Sequence, residues 1–333
     1  MQVVYQTIFS YSGVYNYLNQ QVCTEFRQLA PRTKGIYYLD QLLWDGRRPE
    51  NFKPSKKITE KAIGKGLLSI LEVCTEFIPK DICEQAAFRG DLKLLQWAEK
   101  KGYDLGEKVC SNAACSGSIE TLHWLLEQGC DWDEEICSKA AYFGRIELLQ
   151  WARANGCPWD DRTCYYLSLT GDLETLQWVR SQGCPWTEEV CGNAAIRGHL
   201  EILKWARANG CPWDEETCSD AAYGGYLETL QWARANGCPW NSKTTDSAAS
   251  KGHLEILQWC VEQGCEVSPD ITTKAIRGGS LEVLQWLAEQ GYTMDREPYM
   301  EAQLYGHPNI AQWLQGKNLE EYRFEETLDL FFH

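Results

Sequence analysis

Long apolar runs are missing from this sequence, and no stretch approaches 18 consecutive apolar residues, which leaves no candidate for a membrane-spanning helix. The opening segment, MQVVYQTIFSYSGVYNYLNQQVC, has neither a basic start nor an uninterrupted apolar stretch, so no export signal is expected. Histidine is scarce: His123, His199, His253, His307 and His333 are the only five in 333 residues. No phosphate-cradling glycine loop and no nucleophile motif is present. The acidic residues recur in phase at helix starts, where capping accounts for them, so no catalytic residue is assigned and no enzyme is expected. Positive charge is in the minority, 32 Lys and Arg against 47 Asp and Glu, for a formal charge of -15. That balance disfavours a broad phosphate-binding surface, so neither nucleic acid nor a membrane is expected as a partner.

What the chain has in abundance is cysteine, 16 residues. In a small secreted domain they would suggest disulfides, but this chain is large and shows no export signal, so reduced thiols and an intracellular location are expected. It also has a beat. Trp97, Trp124, Trp151, Trp178, Trp205, Trp232, Trp259, Trp286 and Trp313 are spaced by 27 without a slip, and glycines keep the same spacing from Gly90 to Gly306. A shorter, worn copy, AIGKGLLSILEVCTEF, precedes them with an offset of 24. Self-similarity at such a period predicts a solenoid, because no single copy can bury its own apolar face.

Within a copy the signals spell helix, turn, helix, loop. In WDEETCSDAAYGG, Asp214 stands at an N-cap position with Glu215 and Glu216 in the positive first turn, and Thr187, Asn241 and Ser268 hold the equivalent place. Ala221 and Ala222 give the first helix a flat face, and Gly225 breaks it. Asp91, Ser118, Asp172, His199, His253 and Ser280 open the second helix. Leu200, Ile202, Leu203, Trp205 and Ala206 form its buried stripe, and Gly210 ends it as a C′ glycine.

The pattern AAxxGHLEILKWARANG resembles the ankyrin repeat over about residues 60 to 316. The resemblance implies an all-α, ankyrin-like helix-turn-helix solenoid of about ten repeats, with the six residues missing from the usual 33 taken out of the hairpin between repeats. The tryptophan-rich form bearing GCPW is similar to ankyrin-type arrays of algae, oomycetes and giant viruses. The expected division is 1–55 as an N-terminal helical segment, 56–316 as the solenoid and 317–333 as a C-terminal cap. The chain is expected to be a monomer in the cytoplasm, with the nucleus and an infected host cell as further compartments.

Twelve cysteines fall in two registers, from Cys130 to Cys265 and from Cys83 to Cys218. A zinc site needs four ligands at about 2.3 Å from one point, whereas stacked helices lie about 8–10 Å apart. Cysteines of one register in adjacent copies also exceed the separation of about 7 Å that a disulfide spans. Thr245 and Thr272 replace the second register late in the chain. No metal or cofactor is therefore expected. By alignment with the ankyrin pattern these cysteines take the places of a small alanine and a buried leucine, so they are read as packing. The same alignment puts Trp205 and its equivalents on a core leucine. The second tryptophan set (Trp132, Trp159, Trp186, Trp213 and Trp240) is expected to fold over the junction between copies.

Binding information must lie where copies differ. The two residues after the alanine pair vary strongly, and the resemblance places them on a concave face that contacts protein partners. They supply Phe88, Arg89, Tyr142, Phe143, Ile196, Arg197, Tyr223, Lys251, Arg277 and Tyr305, rich in the types enriched at interface centres. One copy departs, with Leu167-Ser168 in place of the alanines, and its bulk is expected to bend the stack or mark a contact. At the N-terminus, TIFSYSGVYNYLNQQVCTEFRQLAP resembles an F-box that lacks the usual LPxE opening. That resemblance implies a ubiquitin-ligase adaptor as partner, contacted by Ile8, Phe9, Leu18, Val22 and Phe26. The alternative for the same segment is a cap that closes the first repeat.

Overall fold

The computed structural model describes residues 35–50, 52–106, 108–294 and 298–317, and among them every regular element is a helix. Three lead-in helices, α1 (Gly35–Trp44), α2 (Lys56–Ile63) and α3 (Leu68–Val73), are followed by helix pairs in the expected rhythm. The pairs are α4 (Ile82–Arg89) with α5 (Leu92–Lys100), α6 (Val109–Ser116) with α7 (Ile119–Glu127), and α8 (Glu134–Tyr142) with α9 (Ile146–Ala154). These belong to one compact unit that runs through Pro158. A second unit begins at Trp159 with α10 (Asp161–Thr170) and α11 (Leu173–Ser181), then α12 (Glu189–Ile196) and α13 (Leu200–Ala208). It continues with α14 (Glu215–Gly224) and α15 (Leu227–Ala235), α16 (Ser242–Lys251) and α17 (Leu254–Glu262), α18 (Ile271–Gly278) and α19 (Leu281–Glu289), then α20 (Pro298–Leu304) and a helical stretch over 308–317. No helix among the described residues is long and apolar enough to cross a membrane.

Local chemistry explains the bounds. Asp214 accepts the Glu216 N–H at 3.1 Å, and Glu215 and Glu216 occupy the positive first turn of α14. Asn241 caps α16 in the same way. Thr187 and Ser268 do not cap, because α12 begins two residues after Thr187 and α18 three after Ser268. Asp91, Ser118, Asp172 and Ser280 cap the second helices with side-chain oxygens. Gly225 ends α14 at φ 84°, and an added Cβ would lie 2.7 Å from the His253 ring, so this turn demands glycine. His253 in return contacts the Tyr223 carbonyl with its Nε2 at 3.2 Å, tying one copy to the last, as His199 and His307 do with Leu169 and Arg277.

Within each unit, first helices pack against first helices of neighbouring copies, and each first helix packs on its own second. Ala194, Ala195, Ala221 and Ala222 are fully buried, and their lack of bulk permits that close approach. Leu203 and Leu230 are buried completely behind them, each contributing about 2 kcal/mol of apolar burial. In the departing copy Leu167 and Ser168 are fully buried as well, so they serve packing rather than an exposed contact.

The tryptophan column departs from the expected core. Only Trp97, 9% exposed, is buried; Trp124 through Trp313 are half-buried. The buried stripe of α13 runs through Ile202, Leu203 and Ala206 and leaves Trp205 at its edge, where a loop tryptophan covers it.

Candidate partner-binding face and cysteine junctions

The ten ladder residues sit at the C-terminal ends of first helices or just past them. In the first unit, Phe88, Tyr142 and Phe143 are 49%, 54% and 38% exposed, and Arg89 is exposed beside them. They are not scattered. Phe88 and Phe143 meet edge-on with ring centroids 6.0 Å apart, and Tyr142 meets Phe143 at 4.9 Å. This reach across an entire copy is possible because the intervening pair, Cys115 and Ser116, is small and recedes, Cys115 being buried. In the second unit, Arg197, Tyr223, Lys251, Arg277 and Tyr305 are exposed and Ile196 is half-buried. The Lys251 ammonium lies 4.3 Å from the centre of the Tyr223 ring, and the Arg277 guanidinium lies 5.5 Å from that of Tyr305. Arg277 also pairs with Glu301 at 2.9 Å.

A cavity of about 390 Å³ opens beside α12 and α14, lined by Tyr165, Glu188, Asn193, Asp214, Glu216 and Asp220 among others. Gly192 makes room for it, since a Cβ there would stand 2.6 Å from an Asp220 oxygen. Burial and the neighbouring Glu216 and Asp214 carboxylates push the Asp220 carboxyl up to about 6. This cavity repels anions.

The loops between copies carry the second recurring arrangement. Each GC cysteine follows a Schellman turn: Gly210 N–H bonds Arg207 O, and Cys211 N–H bonds Ala206 O, which sets Cys211 at the position that turns its side chain inward. Of the 15 described cysteines, 14 are buried and Cys130 is partly exposed. Packing accounts for their location, as expected, but the thiols also form pairs that the sequence reading missed. Cys110 and Cys130 are neighbours whose thiols interact, and the same pairing brings Cys137 to Cys157, Cys164 to Cys184, Cys191 to Cys211 and Cys218 to Cys238. These partners come from different registers, 20 residues apart, where the sequence reading compared cysteines within one register. In four of the pairs the GC thiol also donates to a backbone carbonyl at the start of its own copy, as Cys211 does to Thr187 at 3.4 Å. No group of three or more His, Cys, Asp or Glu able to hold a metal occurs among the described residues.

An arginine clamps most of these loops. Arg207 donates to the Cys211 carbonyl at 2.7 Å and lies 4.2 Å over Trp213, and the Trp213 ring also meets Trp232 edge-on at 6.0 Å. Arg234, Cys238 and Trp240 repeat the arrangement, as do Arg180, Cys184 and Trp186. The loop tryptophans therefore do cover the junctions.

Ile8, Phe9, Leu18, Val22 and Phe26 lie outside the described residues, as does the C-terminal segment after residue 317. No protein-family model matches the chain, and no curated protein matches it. Among solved structures it is similar to the human ASB11 ankyrin repeat domain at 17% identity, over 48% of this chain and 85% of that one, with a TM-score of 0.39. The all-helical repeat array stands on the helices themselves.

Proposed function

We propose that this chain is a non-catalytic protein-binding array whose partner docks on the exposed ends of the first helices, the face that ankyrin-type repeats present as concave. The observation that carries this reading is the exposed cluster of Phe88, Tyr142 and Phe143, three aromatic rings gathered from two copies over a receding third. Apolar rings held in water are costly unless something covers them, and Tyr, Phe and Arg concentrate binding energy at interfaces. Arg89, Ile196, Arg197, Tyr223, Lys251, Arg277 and Tyr305 extend the same register. Replacing Tyr142, Phe143, Arg197 and Tyr223 together with alanine should abolish partner capture from cells while the circular dichroism stays unchanged. Undiminished capture by the folded variant would refute the docking face.

The N-terminal segment bears on a second reading, a substrate-recruiting subunit of a cullin-type ubiquitin ligase. Its support is the F-box-like spacing of Ile8, Phe9, Leu18, Val22 and Phe26. The competing capping role draws support from α1, where Asp40 accepts the Ile70 N–H of α3 at 3.0 Å. Affinity purification of the full chain against one starting at residue 56 separates them. An adaptor recovered only with the full chain makes the segment an F-box; with neither, it is a cap.

A further inference from the structure

Five cross-register thiol pairs recur in this protein, and one of them is unlike the rest. In the Cys191–Cys211 pair both sulfurs are fully buried, the Arg207 guanidinium holds the loop shut, and Pro212 stiffens it. At Cys130, three copies earlier, Leu126 stands where Arg207 would be and Asp131 where Pro212 would be. Leu126 has no hydrogen to offer the Cys130 carbonyl and no charge to lay over Trp132. The loop is left unclamped, Asp131 is exposed, and Cys130 is the one described cysteine that is not buried. Its partner Cys110 remains 3% exposed on α6. Two thiols are half of a zinc site, and no third ligand joins them among the described residues.

We propose that Cys130 and Cys110 form a reversible redox pair, in which Cys130 is the thiol attacked by a hydroperoxide-class oxidant and Cys110 resolves it to an intramolecular disulfide. The chemistry balances with two thiols and one peroxide. The Cys130 thiolate attacks the terminal peroxide oxygen; the O–O bond breaks, Cys130 becomes a sulfenic acid, and the departing oxygen takes up the proton the thiol released, leaving as water from hydrogen peroxide or as an alcohol from an organic hydroperoxide. The Cys110 sulfur then attacks the Cys130 sulfur, the S–O bond breaks, and the hydroxyl leaves with the Cys110 proton as water. Two electrons pass from the sulfurs to the peroxide, and a dithiol reductant returns them.

The reactive role falls on Cys130 for two physical reasons. An oxidant must reach the sulfur, and among the described cysteines Cys130 is the one that is not buried. The thiolate is the nucleophile, and the bond from the Cys110 thiol lowers the Cys130 thiol below the ordinary cysteine value, whereas the same bond together with burial raises Cys110. In the four other pairs burial withholds the sulfurs from oxidant, so the same geometry there is packing. The closed loop would tie α6 to the turn after α7, within one copy of the first unit. Nothing in this step depends on the proposed docking face.

The test uses the reduced full chain, substoichiometric hydrogen peroxide, timed alkylation of free thiols and peptide mapping without reductant. The Cys110–Cys130 disulfide should appear at least about tenfold faster than Cys137–Cys157 or Cys191–Cys211, and dithiothreitol should restore both thiols. Equal rates across the pairs would overturn the proposal, as would Cys130 linking to Cys23 or to a second chain. In Cys110→Ser the sulfenic acid should persist on Cys130 and be trapped by dimedone; no trapping in a variant of native helicity overturns the order of attack. Should that variant unfold, the timed mapping of the unmodified chain decides the matter alone.

Discussion

The junctions at 126–133 and 207–214 occupy the same place in two copies 81 residues apart, and they are built differently. Both have a GC cysteine beside a thiol on the first helix of the same copy, and both have a loop tryptophan against the second helix of the following copy: Trp132 with Trp151 at 5.8 Å, Trp213 with Trp232 at 6.0 Å. Only the second has arginine and proline. The aromatic contact therefore forms without the clamp. Docking of the ring does not depend on the arginine and proline, whose part in closing the loop over Cys211 is a separate matter.

The largest effect should come from removing the rings. Trp213→Ala strips a half-buried indole from between Arg207 and Trp232 and leaves both without their stacking partner, a loss of about 2–3 kcal/mol. Trp132→Ala removes one ring contact and no guanidinium stack, and should cost about 1 kcal/mol. Urea unfolding of both variants checks the difference. Equal losses would mean that the arginine contributes nothing beyond the ring.

A smaller effect should come from moving the clamp. Leu126→Arg with Asp131→Pro writes the second junction into the first, and should add about 1 kcal/mol through the new stack and a stiffer unfolded chain. It should also slow alkylation of Cys130 toward the rate of Cys211. Arg207→Leu is the converse, expected to lose about 1 kcal/mol and to open Cys211 to alkylating reagents. If Cys211 stays closed in that variant, proline rather than arginine seals the loop.

These junctions also show where the sequence could be read and where it could not. The helix pairs were legible because capping residues, left-handed glycines and the alanine pair are local signals that recur from copy to copy. Thr187 and Ser268 misled because a cap residue type is not a cap unless the helix starts beside it, and α12 and α18 start later. Trp205 misled because alignment placed it on a core leucine, while the stripe of Ile202, Leu203 and Ala206 is narrow enough to leave it at the edge. The ladder residues were found from variability after the alanine pair, but the meeting of Phe88 with Phe143 could not be read, since it depends on how far Cys115 and Ser116 recede. Thiol pairing was hidden for a similar reason. Comparing cysteines seven apart or one period apart never brings together Cys110 and Cys130, which sit on a first helix and on the loop after the second.

The last contrast is electrostatic and smaller. Lys139 in α8 holds the position that Asp220 holds in α14. Lys139 pairs with Glu135 at 3.4 Å and donates to Ser111 at 3.0 Å. Asp220 instead stands half-buried near Glu216 and Asp214, and burial with those two carboxylates raises it to about 6. In the unfolded chain the same carboxyl titrates near its ordinary value, so the fold binds that proton more tightly than the unfolded chain does. Asp220 therefore favours folding most below about pH 4, and the advantage is lost as the pH rises through about 6. Allowing for solvent screening of a half-buried group, the loss is about 1 kcal/mol. Asp220→Asn removes the titration, so its stability should rise relative to the parent between pH 4 and 7 and match it at the acid end. The two chains unfolded in parallel at several pH values supply the measurement, and a parallel offset at every pH would assign the effect to packing over Gly192 rather than to charge.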